Sequence, residues 1–181
     1  MTCIVGLISN GRVYMGGDSA AAAGWDMHQI ANPKVFRRGE FVIGYTTSFR
    51  MGQLLEYGLL PEKQTGEQSN MAYMSTAFVD AVRKTLKDGG FITINNSNEQ
   101  GGQFLVGYRG HLYIVQSDFS VTEYLTPYSA VGCGESYALG AMAIIDRDLP
   151  PKKQIKRALK TAAYFSNGVT GPFYVLKGPK S

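Results

Sequence analysis

The first residue able to do chemistry stands directly behind the start methionine. With Met1 removed, Thr2 carries a hydroxyl and a free α-amine on one residue. An α-amine has an unperturbed pKa of about 7.7 to 8.0, so near neutrality part of it is an unprotonated base. Nucleophile and base are then assembled on a single residue, the amine taking the hydroxyl proton and returning it to the leaving group. Lys34, if packed against Thr2, lowers the amine's pKa by like-charge repulsion, and Asp18 pairs with Lys34 to hold it charged and oriented. Threonine is small enough for a methionine aminopeptidase to remove Met1; while Met1 stays, Thr2 offers an amide and this mechanism fails.

Taken singly, the same residues read more simply. Thr2 is only the second residue of a chain, and Asp18 follows Gly16-Gly17, where aspartate is a common turn residue. Lys34 opens a strand pattern, as edge lysines do. Cys133 between Gly132 and Gly134 reads as a small residue in a tight turn, and Cys3 on an apolar strand reads as core.

Composition narrows the setting. A chain of 181 residues suits one domain spanning 1–181 and is long enough to bury a core without staples. With 44% hydrophobic and 18% charged residues it is neither disordered nor membrane-spanning in character. Gly6, Ser9, Asn10 and Arg12 interrupt any secretory signal, which points to the cytoplasm. Two cysteines are too few for a disulfide framework, and His28 and His111 are too far apart for a local metal motif, so no metal is expected. The +4 charge is spread over Arg37-Arg38, Arg83 to Lys87 and Lys152 to Lys160, each mixed with apolar positions, which reads as solvated faces and not as a nucleic-acid footprint. The paired glycines match neither nucleotide fingerprint.

A nucleophile at residue 2 works only if structure begins at once. Cys3 to Ile8 and Val13 to Met15 flank Asn10-Gly11, the strongest two-residue hairpin signal. A second hairpin runs Lys34 to Arg37, turns at Gly39 and returns over Phe41 to Thr46. Phe49 to Tyr57 is a short helix. Met71, Met74, Phe78, Ala81 and Val82 then recur at helical spacing behind an N-cap at Ser69 or Asn70, with a stop at Gly89-Gly90. A third hairpin turns at Arg109-Gly110, VTEYL is a weaker strand, and YSAVGCGESYALGAMAII passes from strand through glycines into helix. Pro150-Pro151 open a last helix whose Ile155, Ala158, Leu159 and Ala162 share a face, and PFYVL closes as a strand. Antiparallel hairpins in blocks with helices imply an α+β domain, two sheets packed together with helices on the outer faces.

The stretches TCIVGLISNGRVYMGGDS, NPKVF, FVIGYT and AVGCGESYALGA resemble the β-type subunits of the proteasome and the HslV peptidase, within the N-terminal nucleophile hydrolases, over nearly the whole chain. That family has a mature N-terminal threonine, a Gly-Asp ending the second strand and a lysine sixteen positions beyond the aspartate; Gly17-Asp18 and Lys34 keep this spacing. The resemblance implies a four-layer αββα sandwich of two antiparallel sheets. It places the oxyanion N–H donor on Gly44 and sets Cys133 in the place of a serine that assists the amine. The family's second aspartate falls on Ser166, and the serine three residues on falls on Val169.

The activity so implied is a threonine endopeptidase acting on unfolded polypeptide without metal or organic cofactor, in a homo-oligomeric ring of six or seven subunits, stacked rings included, fed by an ATP-dependent unfoldase. Ala21, Ala22 and the segment Val42 to Thr46 would line the substrate cleft, small side chains leaving room for a peptide to pair as an added strand. The alternative is a ring-forming scaffold or regulatory subunit without hydrolysis, which Ser166 and Val169 favour. A third reading keeps the nucleophile for a small amide or acyl transfer, and no second-substrate motif supports it.

Overall fold

The computed structural model describes residues 1–24 and 26–180. Among these described residues, thirteen strands and five α-helices follow one another as hairpins and helix pairs. One sheet has the order β12-β1-β2-β13, formed by Tyr128–Val131, Ile4–Ser9, Arg12–Gly17 and Tyr174–Lys177. The other has the order β11-β10-β9-β6-β5, formed by Val121–Glu123, His111–Val115, Phe104–Tyr108, Phe41–Tyr45 and Val35–Arg38. All pairings in both are antiparallel.

The near-continuous apolar runs of the strands follow from burial on both faces. Along β1, Val5 and Leu7 face the helices α4 (Glu135–Ile144) and α5 (Pro151–Phe165), whereas Ile4 faces the other sheet. Along β6, Phe41, Ile43 and Tyr45 face α1 (Phe49–Gly58) and α3 (Val79–Asp88), whereas Val42 faces inward. The inter-sheet layer is completed by Met15, Val35, Leu105, Leu112, Ile114 and Val131. The result is the expected four layers, helices on both outer faces of two antiparallel sheets. No helix among the described residues is long and apolar enough to cross a membrane.

Local chemistry explains the boundaries. The Asn10-Gly11 turn has both residues at positive φ, as a type I′ hairpin needs. Ser48 caps α1 by accepting from the Arg50 N–H, and Ser69, not Asn70, caps α2 (Asn70–Tyr73) by accepting from the Ala72 N–H. Between α2 and α3 the helix passes through a π-helical segment, Met74–Phe78, which the helical spacing did not announce. The wider turn brings Tyr73, Met74, Phe78 and Val79 all into the core and leaves Met71, expected on the apolar face, exposed. Two short hairpins were also missing from the sequence pattern. They are β3 (Ala20–Ala23) with β4 (Asp26–Gln29), and β7 (Thr93–Asn95) with β8 (Asn98–Gln100), whose exposed residues carry little hydrophobic alternation.

Candidate active site

The edge where β1 begins and β2 ends collects the chemistry. Pairing of Ile4 with Gly17 puts Cys3 beside Asp18, and the Cys3 N–H donates to Asp18 Oδ1 at 2.9 Å. The Ala20 N–H donates to Oδ2 at 2.8 Å, so two backbone donors orient this carboxylate. Lys34, just before β5, is anchored by its carbonyl, which accepts from the Tyr45 N–H at 3.1 Å. Its ammonium donates to both Asp18 oxygens, at 3.0 and 3.1 Å, and to Thr2 Oγ1 at 3.0 Å. Asp18 and Lys34 are buried, with no side-chain exposure. Burial pushes the Lys34 pKa down, against the pull of the adjacent Asp18 carboxylate, which favours the ammonium.

Thr2 is fixed from the other side by the β12–α4 turn. Gly132 has φ +99°, and a Cβ there would lie 2.3 Å from the Thr2 carbonyl oxygen, so only glycine lets this turn close on the chain start. The Gly134 N–H donates to the Thr2 carbonyl at 3.4 Å, and Cys133 Sγ lies 3.3 Å from the Thr2 nitrogen. Cys133 is exposed; Cys3 is buried, and desolvation holds its thiol far above the ordinary range, which leaves it inert. Ser166, past the end of α5, reaches Cys133 Sγ at 3.6 Å and touches Thr2 only through it. Val169 sits in the core under α4 and α5. Met1 lies over the Thr2 side chain: its carbonyl accepts from Lys34 Nζ at 3.2 Å and from the Thr2 hydroxyl. Removal of Met1 turns the nitrogen facing Cys133 into an amine.

Gly44 does not occupy the position expected of an oxyanion donor. It pairs with Val35 and Leu105 in the middle of the five-stranded sheet, where the backbone groups are committed to the ladder. A Cβ on it would meet Ile4 Cγ2 at 2.4 Å and Met15 Sδ at 2.8 Å, so it is glycine because the two sheets close upon it. Three residues on, Thr47 is exposed at φ +62°, and its N–H has no hydrogen-bond partner among the described residues. The Thr47 hydroxyl accepts from the Gln103 N–H at 3.2 Å, which holds the strained turn. The only trace of this in the sequence is that Thr47 falls between the end of a strand and the Ser48 cap. Thr46 is buried and its hydroxyl donates to the Gln103 carbonyl at 2.8 Å, leaving its methyl toward Gly132 and the Thr2 carbonyl. Ala21 and Ala22 lie on β3 beyond Asp18, half-buried, and among the described residues β3 pairs with β4 alone.

No group of three His, Cys, Asp or Glu side chains among the described residues is placed to hold a metal ion. No protein-family model and no curated protein sequence matches the chain. Solved structures do. "Thiobacillus denitrificans BPH in complex with Epoxomicin" is 19% identical, with TM-score 0.80 and 99% of each chain covered. Eukaryotic HslV from Trypanosoma brucei is 14% identical, with TM-score 0.65 over 97% of this chain and 98% of that one. Anbu, an ancestral beta-subunit from Yersinia bercovieri, is 18% identical, with TM-score 0.64 over 98% of this chain and 81% of that one. With two antiparallel sheets between two helical layers and a threonine at the mouth of the first strand, the chain has the fold of the proteasome-type N-terminal nucleophile hydrolases.

Proposed function

We propose that the chain, once Met1 is removed, is a threonine-type peptidase with Thr2 as nucleophile. The observation that carries this reading is the buried Lys34 ammonium held between the Asp18 carboxylate and the Thr2 hydroxyl. A scaffold has no use for a desolvated charge pair at that point, since burying it opposes folding unless geometry and hydrogen bonding compensate.

The Thr2 amine takes the hydroxyl proton as Oγ1 attacks the scissile carbonyl carbon. Lys34 beside it stabilises the developing alkoxide and disfavours a protonated amine. The Thr47 N–H, unpaired among the described residues, donates to the carbonyl oxygen as it becomes an oxyanion. Collapse breaks the C–N bond, the leaving amine takes the proton from the Thr2 ammonium, and an ester on Thr2 remains. Water, deprotonated by the Thr2 amine, attacks the ester, releasing the acid and restoring the hydroxyl. Cys133, supported by Ser166, holds the amine in line. Substrate in extended form pairs along the free edge of β3 at Ala21 and Ala22, with Thr46 closing the far side.

The likeness to HslV and to an ancestral beta-subunit extends the proposal to a homo-oligomeric ring of six or seven subunits, single or stacked, which acts in the cytoplasm on unfolded polypeptide delivered by an ATP-dependent unfoldase. The expected result is an intact mass lacking Met1, a covalent adduct with epoxomicin, the compound bound to BPH, and peptide cleavage abolished in Thr2→Ala. Persistent Met1 with no adduct refutes the peptidase and favours an inactive subunit of the same fold. That second reading has one observation behind it: Ser166, where the family has a carboxylate, offers Cys133 only a neutral hydroxyl. A clean monomer of 19.7 kDa in solution refutes the ring.

A further inference from the structure

Helix α5 carries its cations in places that oppose its own stability. Lys152, Lys153, Lys156, Arg157 and Lys160 are exposed, whereas Gln154, Ile155, Ala158, Leu159 and Ala162 are buried. Cations and apolar residues that are mixed along the chain, and read there as a solvated face, are thus sorted onto opposite sides of one helix. None of the five cations has an ion-pair partner among the described residues. Asp146, in the loop ahead of the helix, accepts instead from the Asp148 N–H at 2.9 Å. Lys152 and Lys153 lie in the first turn, which holds no acidic residue and whose dipole favours carboxylates. Lys152 with Lys156, Lys153 with Arg157, and Lys156 with Lys160 set like charges four residues apart, which also works against the isolated helix.

The same face ends in rings. Lys153, Arg157, Lys160 and Tyr164 follow at spacings of four, three and four, and so form one row along the helix, with Lys152 and Lys156 beside it. At about 1.5 Å per residue this row is about 17 Å long. Tyr164 is 84% exposed and Phe165 59%, large side chains left open to water. Phe165 stacks on Tyr137 of α4, with ring centroids 5.4 Å apart, and meets Tyr164 edge to face at 5.0 Å. The three rings hold one another, so an aromatic platform stands ready at the end of the cationic row. Contiguous exposed surface of this kind marks an interaction site.

We infer that this face of α5 binds single-stranded RNA, whose phosphates run along the cationic row while its bases stack on Tyr164 and Phe165. Phosphates neutralise the unpaired cations and release counterions as they bind. The rings suit unstacked bases, which a single strand offers and a duplex keeps within its own stack. A bilayer would draw on the apolar side of an amphipathic helix, and that side of α5 is buried with Val5 and Leu7 of β1. Inorganic polyphosphate would satisfy the cations and leave the rings without a role. The ribose 2′-hydroxyl adds a donor and an acceptor for the phenols of Tyr137 and Tyr164, which sets RNA ahead of single-stranded DNA.

The test is fluorescence anisotropy of a labelled oligouridine of about 15 nucleotides with the purified protein, from about 50 to about 200 mM NaCl. Neither loss of Met1 nor turnover enters, so the outcome is independent of the peptidase reading. Binding is expected with a log–log salt slope of about −2 to −3.5, the value for about three to five phosphates on a single strand. Lys153→Gln/Arg157→Gln should weaken it roughly 10-fold and make the slope shallower by about 1 to 2, whereas Lys153→Arg should leave both unchanged. Tyr164→Ala should weaken it roughly 5- to 100-fold without changing the slope. Lys63→Gln/Lys87→Gln, which removes the same charge from exposed positions elsewhere, should leave it within about twofold. An equal loss in that control overturns the inference, because the attraction is then one of net charge. So does an absence of binding at the lowest salt, or an affinity unchanged in Tyr164→Ala. Oligothymidine bound as tightly as oligouridine overturns the choice of RNA, and capture by phosphatidylserine vesicles that oligouridine does not displace overturns the choice against a lipid surface. NMR shifts of the Tyr164 and Phe165 rings on adding oligouridine to the wild-type protein read the face without any substitution, and their absence overturns it.

Discussion

Replacing Asp18 by Asn keeps the volume and the shape of the side chain, removes the charge opposite Lys34 and turns one of its two acceptor oxygens into an NH2 donor. In the native protein this carboxylate accepts from two backbone N–H groups and twice from the Lys34 ammonium, with no exposure to water on either side chain. Breaking a buried pair by removing one partner costs about 3 to 5 kcal/mol, because the other charge stays desolvated. An independent bound comes from the escape route. Lys34 can shed its proton, and holding neutral a lysine that would titrate at about 10.4 in the unfolded chain costs about 4.6 kcal/mol at pH 7 and about 1.9 kcal/mol at pH 9. The Lys34 pKa is already depressed by burial, so this route is open. The expected drop in melting temperature is roughly 6 to 20 °C at pH 7, using about 2 to 4 °C per kcal/mol for a chain of this size. At pH 9 the drop should shrink by more than half. Thermal unfolding followed by circular dichroism at both pH values reads this, and Asp18→Asn/Lys34→Met should recover stability relative to Asp18→Asn alone. A melting temperature within about 2 °C of wild type at pH 7, or a loss that does not diminish at pH 9, would show that the pair is not a buried ion pair, and the nucleophile would lose its neighbour.

Gly44→Ala should lower stability by about 1 to 3 kcal/mol in urea titration, because the new methyl meets Ile4 and Met15 in a closed layer; an unaffected midpoint would place Gly44 outside the inter-sheet core. Cys133→Val, by removing the group that faces the Thr2 nitrogen, should slow epoxomicin labelling by roughly 2- to 10-fold, the worth of one neutral hydrogen bond, while Cys133→Ser should not slow it. Alkaline titration should show stability falling between pH 10 and 12. Burial raises the Tyr45 and Tyr73 phenols to about 12, and Tyr113 is raised as well. These groups stay protonated in the native state while the unfolded chain releases its phenolic protons, so the unfolded state is favoured as pH rises. Phenolate absorbance at 295 nm should therefore appear for these three together with unfolding; their ionisation in a still folded protein would contradict the burial.

The place of Asp18 beside the chain start was available in the sequence because it depends on a local rule, whereas Lys34, which leads into the other sheet, came from the family resemblance. The Asn10-Gly11 turn sets the register of β1 against β2, and that register by itself brings Asp18 to the amide of Cys3. The strands of the two large sheets likewise followed from short apolar runs bounded by turn residues, and two helix starts from the Ser69–Asn70 cap and the Pro150-Pro151 pair. What failed failed for want of long-range information. A glycine at the end of an apolar strand looks alike whether it faces an open cleft or a second sheet, and only the inward direction of Ile4 and Met15 assigns Gly44 to the second case. The free N–H of Thr47 arises from a strained turn whose hydroxyl is held by Gln103, far along the chain. The π-helical turn at Met74–Phe78 answers to the shape of the core it packs on. Sequence alone thus placed Asp18 beside the start of the first strand, where Thr2 stands. Tertiary structure decided which backbone donor stays free, because that depends on what the rest of the chain has already paired and buried.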